Sequence, residues 1–192
     1  TQGADQTFTT AACGPMAPEV TGNNPVGGGT ITATVSGCGA TCVFMEGTFI
    51  PVSGDPLSPP VPPPAGYTFP YGLFDCVVSG FTAGSTVTIT IVYPGDLPAG
   101  TVYLKYGATS DDASPHWYSL PATISGNTIT LTIADGGIGD DDLRVNGSIL
   151  DPGGPALLSR PTDAAIPTLS QWGLLLLIGM MATLGIMVAH RR

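Results

Sequence analysis

Positive charge is what this sequence has least of. Its 192 residues carry five Lys+Arg against 14 Asp+Glu, a formal net charge of −9, and only 10% of residues are charged. With no basic patch to neutralise phosphates, nucleic acid is excluded as a partner. Catalytic signatures are missing too: there is no G-x-S-x-G elbow, no H-E-x-x-H helix and no Gly-rich phosphate loop. His116, beside Trp117 and Tyr118, reads as part of a strand that packs aromatics. No catalytic residue is assigned, and the chain is not read as an enzyme. Long apolar runs are lacking as well, except at the C-terminal end.

That end is the chain's one membrane-like feature. From Trp172 to Ala189 no side chain carries a charge. As a helix the run would be roughly 27 Å long at ~1.5 Å per residue, near the ~30 Å of a bilayer's hydrocarbon core. Ser170 suits an N-cap, and Trp172 suits an interface. His190, Arg191 and Arg192 favour the helix C-terminus and the cytoplasmic side. Exposing Leu174, Leu175, Leu176, Leu177, Ile178, Leu184, Ile186 and Val188 to water would cost on the order of 12–24 kcal/mol. The run therefore needs a bilayer or a sheath of its own copies. Gly179, Ala182, Gly185 and Ala189 recur at helical spacing and would allow close helix–helix approach.

What precedes this helix is rich in turn residues, with 27 Gly and 19 Pro, and in alternating Thr, Val and Ile. The expected fold is an all-β antiparallel sandwich, immunoglobulin-like or jelly-roll-like, plus one C-terminal hydrophobic α-helix. Residues 1–29 read as an extended N-terminal arm or edge segment, tethered by Cys13. Residues 30–150 are the sandwich, with a proline-rich connection at 51–70 of polyproline character. Residues 151–167 read as a linker and 168–192 as the helix with its basic end. Strands are predicted at Thr30–Val35, Cys42–Ile50, Leu73–Val78, Thr86–Tyr93, Thr101–Tyr106, Trp117–Leu120 and Asn127–Ala134.

Four cysteines, Cys13, Cys38, Cys42 and Cys76, permit three pairings of two disulfides in an exported chain. Cys42 and Cys76 fall in neighbouring predicted strands, so Cys42–Cys76 with Cys13–Cys38 is the preferred set. The acidic run holding Asp135, Asp140, Asp141 and Asp142 is the one candidate chemical site. Carboxylates on a glycine-rich loop suit Ca²⁺, although the spacing is not that of an EF-hand. The alternative is a solvated acidic turn whose carboxylates bond local backbone N–H groups. Tyr103, Tyr106, Trp117 and Tyr118 are candidate contact aromatics for a glycan or protein ligand.

Two stretches resemble known families. Ile166-Pro167-Thr168-Leu169, then Trp172-Gly173, an apolar run and a basic end, resemble the IPTL-CTERM sorting signal of Gram-negative bacteria. That resemblance implies export, membrane retention and handling by an exosortase-type sorting enzyme. The segments FPYGLFDCVVSG, LPAGTVYLKYG and SPHWYSL…GDDDLRVNGSILDPGGPA resemble the choice-of-anchor U domain of bacterial surface proteins. This second resemblance implies an exported β domain placed before an anchor, with no activity to carry over.

Thr1 is consistent with a mature N-terminus left by signal cleavage, or with a sequence from which the signal was omitted. The chain is expected at the cell surface after a membrane-anchored stage in the inner membrane, with its N-terminus outside and its C-terminus cytoplasmic. A self-assembling filament subunit, with helices bundled and β domains outside, is the preferred functional expectation. A tail-sorted surface protein and a surface adhesin are the alternatives.

Overall fold

A computed structural model describes residues 17–159. Eleven strands run in chain order: β1 Glu19–Asn23, β2 Thr30–Ser36, β3 Val43–Ile50, β4 Tyr67–Thr68, β5 Leu73–Ser79, β6 Thr86–Val92, β7 Val102–Thr109, β8 Asp112–Leu120, β9 Ala122–Ser125, β10 Thr128–Ala134 and β11 Ser148–Leu158. They form two antiparallel sheets, ordered β1-β2-β6-β10-β9 and β3-β5-β11-β7-β8, with the short β4 joined to β11. The expected all-β sandwich is what forms. The predicted C-terminal helix, its Gly179, Ala182, Gly185 and Ala189 stripe, and residues 1–16 lie outside the described residues.

Alternation decides the first sheet. In TITATVS, TVTITIV and TITLTIA every second side chain is aliphatic, so one face of β2, β6 and β10 is apolar and the other is mostly threonine. Ile31, Ala33, Val87, Ile89, Ile91, Ile129, Leu131 and Ile133 are fully buried. They pack with Phe44, Phe74, Cys76, Val78, Tyr103 and Ile149 of the second sheet. Removing their apolar surface from water drives the two sheets together. A smaller apolar cluster (Ile50, Phe69, Leu73, Leu104 and Ala156) gathers Tyr67 and Trp117 around it. The proline-rich connection is tied there, since Trp117 Nε1 donates to the Val61 carbonyl at 2.9 Å.

One expected boundary is narrowed and one is corrected. Of the arm or edge segment expected over residues 1–29, Glu19–Asn23 is the edge strand β1, paired to β2 from Glu19↔Thr34 to Asn23↔Thr30. More consequentially, residues 148–158 are the central strand of the second sheet, not the start of a linker. The run DPGGPA reads as turn because of its Pro and Gly content. β11 tolerates it by changing partner: Ser148–Gly153 pairs with β5, and Gly153–Ala156 pairs with β7. Pro152 and Pro155 thus each sit where β11 has a ladder on one flank, leaving a flank that needs no N–H donor. Glycine is required beside them. A Cβ at Gly154 would strike the Gly72 carbonyl, and one at Gly153 the ring of Tyr103. The chain divides after Leu158.

The preferred disulfide set is overturned. Cys38 bonds Cys42 across the β2–β3 turn, with Cα atoms 5.7 Å apart, and Cys76 is a buried thiol with no disulfide partner among the described residues. The strands β3 and β5 are neighbours as expected, but their register sets Gly47, not Cys42, opposite Cys76. Cys13 lies outside the described residues.

Candidate functional site

The acidic loop begins where β10 ends. Gly136 and Gly139 take positive φ there (76° and 98°), which turns the chain tightly enough to fold its carboxylates inward. Asp135 Oδ2 accepts from the N–H of Gly84 at 2.7 Å and of Gly147 at 3.0 Å, and Oδ1 accepts from Asn146 N–H at 3.3 Å. Burial alone would raise the Asp135 pKa. The N–H groups of Gly84, Gly147, Asn146 and Ser148 outweigh it and hold the carboxyl below its ordinary value. Asp140 accepts from Gly136 N–H at 2.8 Å and Leu150 N–H at 3.3 Å. There burial wins, and its pKa is raised. Asp142 accepts from Arg144 N–H at 2.8 Å and Asn146 Nδ2 at 2.6 Å.

Asp135, Asp140, Asp141 and Asp142, the residues of the calcium expectation, are held by protein partners in this geometry. Asp135, Asp140 and Asp142 are turned to separate sets of donors that share only Asn146, and Asp141 is turned to Lys105. No group of three or more His, Cys, Asp or Glu suited to a metal ion occurs among the described residues. The loop is a set of caps that fastens β10 to β11 and to the turn before β6.

Asp141 is the exception, because its partner is a charged side chain. Lys105 is the chain's single lysine, and it is completely buried. Its Nζ lies 2.8 Å from Asp141 Oδ1 and 2.9 Å from Asp151 Oδ1, and it donates to the Leu150 carbonyl at 3.1 Å. The topology builds this group directly. Alternation along β7 places Tyr103, Lys105 and Gly107 on one face. Lys105 pairs with Tyr118 of β8 on one side and with Gly153 of β11 on the other, two residues beyond Asp151. Asp141 reaches in over Gly107, where any Cβ would overlap its carboxylate. Asp141 N–H donates to the Leu150 carbonyl at 3.2 Å, which anchors the loop above the lysine.

The electrostatics follow from two acids sharing one base. Fully ionised, the trio carries one net negative charge in an apolar interior. Burial lowers the Lys105 pKa, but Asp151 and Asp141 outweigh it and hold the ammonium well above its ordinary range. Burial pushes Asp141 up to about 6 against the pull of Lys105. Asp151, wholly buried, is raised by the same cause. Asp75, raised by burial and by Asp151, and the buried Cys76 thiol, raised by burial first, complete the surroundings. The Asp151 Oδ2 and the Tyr103 hydroxyl have no hydrogen-bond partner among the described residues.

The candidate contact aromatics are mostly committed to packing. Tyr103 is core, and Tyr118 lies opposite Lys105. Tyr106 and Trp117 pack on each other at 5.5 Å, and Trp117 also meets Phe69 at 5.5 Å.

Lys105 and Asp151 do not stand out in the sequence as site residues. For the first, the available signal is a solitary lysine on the core face of an alternating strand. Asp151, inside a run that reads as linker, offers none.

The described residues thus define a class: an antiparallel β-sandwich pinned by buried carboxylates. The tail adds the particular, for residues 164–192 match the family model described as the IPTL-CTERM motif. The match contains Ile166, Pro167, Thr168, Leu169, Trp172 and Gly173, and it supports a C-terminal sorting tail. Such a tail points to an exported, surface-sorted protein. No curated protein and no solved structure matches the chain.

Proposed function

We propose that this is an exported structural protein of the bacterial cell surface: a β-sandwich passed through the inner membrane, held there by its tail and sorted by an exosortase-type enzyme. The match at residues 164–192 carries the reading. The resemblance of the sandwich to the choice-of-anchor U domain supports it, because that domain also stands ahead of an anchor. We assign the sandwich a passive role, without catalysis: in its one dense cluster of ionisable groups, Lys105 and Asp151 have no exposed side-chain surface and Asp141 keeps only 21% of its own.

The test compares the full chain with one lacking residues 164–192, both expressed with a signal peptide in a host that has the sorting enzyme. The full chain should fractionate with the envelope and the shortened one should be released to the medium. Equal retention of both would defeat the proposal. A filament with tails bundled through Gly179, Ala182, Gly185 and Ala189 is a finer arrangement of the same idea. Negative-stain microscopy of native material decides it, by fibres or by single particles.

A further inference from the structure

We propose that Lys105 and Asp141 condense to an intramolecular amide, with Asp151 as the proton relay, so that the mature sandwich carries a covalent bond between β7 and the β10–β11 loop. The juxtaposition is what amide formation requires. Nζ touches Asp141 Oδ1 at 2.8 Å, so the carboxyl carbon is one bond further along. Groups held this way react as if at very high local concentration. The second carboxylate, Asp151, stands 2.9 Å from the same nitrogen and is entirely buried. Tyr103 shares the face of β7 with Lys105, Tyr118 is the direct cross-strand partner of Lys105, and Gly107 leaves the gap through which Asp141 enters.

The two acids have different roles because their surroundings differ. Asp141 keeps 21% of its side chain exposed and borders a cavity of about 430 Å³, with Tyr106, Ala108, Pro115 and Pro152 also in its wall. A water formed at Asp141 can leave by that route. Asp151 has no exposed side-chain surface, and Lys105 is its ion-pair partner. It suits a group that takes a proton and returns it.

The step balances without any co-reactant. The Lys105 ammonium gives a proton to Asp151, and the freed amine attacks the carboxyl carbon of Asp141, itself protonated. An N–C bond forms. The tetrahedral centre then breaks one C–O bond, and the hydroxyl leaves as water with the proton that Asp151 returns. Asp151 takes up the second proton released from the nitrogen. An ammonium, a carboxylic acid and a carboxylate thus become an amide, one water and a carboxylic acid. Net charge is zero on both sides, and nothing is oxidised or reduced. Burial favours the product, because a desolvated ion pair is replaced by neutral groups.

Mass spectrometry of the full 192-residue chain, reduced and denatured, tests this. The expected mass is lower than the sequence mass by one water. Because Lys105 is the sole lysine, an amine-reactive reagent applied to the denatured chain should label the N-terminus and leave residue 105 untouched. Fragmentation of a digest should show a branched peptide joining Lys105 to Asp141. Asp141→Ala should restore the full sequence mass and the labelling of Lys105. Wild-type chain of full mass, with Lys105 labelled once denatured, would overturn the proposal and leave a buried ion pair. A branch to Asp151 instead would overturn the assignment of roles. Both readouts come from the wild-type chain, so neither depends on a variant folding or on where the tail sends the protein.

Discussion

Asp135 shows how one side chain can hold a loop in place. It is buried, and its two oxygens take backbone N–H groups from the turn before β6 and from the approach to β11. Hydrogen bonds to a charged acceptor contribute about 1.5–3 kcal/mol, and Asp135→Asn should lose stability of that order at neutral pH. The sign of the pH effect is definite. A carboxyl whose folded pKa is depressed contributes stability above its unfolded value, near 3.8, and loses it as pH falls through the lower folded value. Urea midpoints for wild type and variant should therefore lie far apart at pH 7 and converge on strong acidification. A gap independent of pH would show that the charge contributes nothing. The sequence already points to this residue as a local cap, one of two readings of the acidic run. It cannot point to the Lys105–Asp141–Asp151 group, because Lys105 lies far from both acids in the chain and meets Asp151 only through the ladder pairing of β7 with β11.

Strand alternation is readable at the scale of elements, and partner choice is not. β2, β6 and β10 stand out because threonine and aliphatic residues alternate without interruption. β11 hides because its pairing depends on glycines that clear space for neighbours, a requirement set by tertiary contact rather than by local propensity. The same property makes it testable. Gly154→Ala would drive a methyl into the Gly72 carbonyl, a backbone atom that cannot rotate away, and should destabilise the fold by about 1–3 kcal/mol. Gly28→Ala, which meets nothing within 4 Å and needs no positive φ, should stay within about 0.5 kcal/mol of wild type. Chemical denaturation of the pair would measure both. Equal effects would mean that crowding at β11 is relieved by a shift of the strand.

For the whole molecule the decisive question is where the sandwich ends. The sequence places its limit at residue 150, ahead of a linker; the structure carries strand pairing through Leu158 and divides the chain after it. These limits predict opposite behaviour for two shortened chains. One ending after Ser159 keeps every ladder of β11 and the Asp151 contact with Lys105. It should unfold in one cooperative transition at nearly the wild-type midpoint. One ending after Leu150 loses the strand that joins β5 to β7, so the second sheet falls into two pieces. It also removes Asp151, the buried carboxylate 2.9 Å from Lys105. A central ladder and a buried contact are lost together, against a total of roughly 5–15 kcal/mol by which domains are stable. Thermal melts followed by near-ultraviolet circular dichroism should give a sharp transition for the longer chain and none for the shorter. A sharp transition in both would mean that β11 is an accessory to the sandwich, and the buried lysine would then need another explanation for its tolerance.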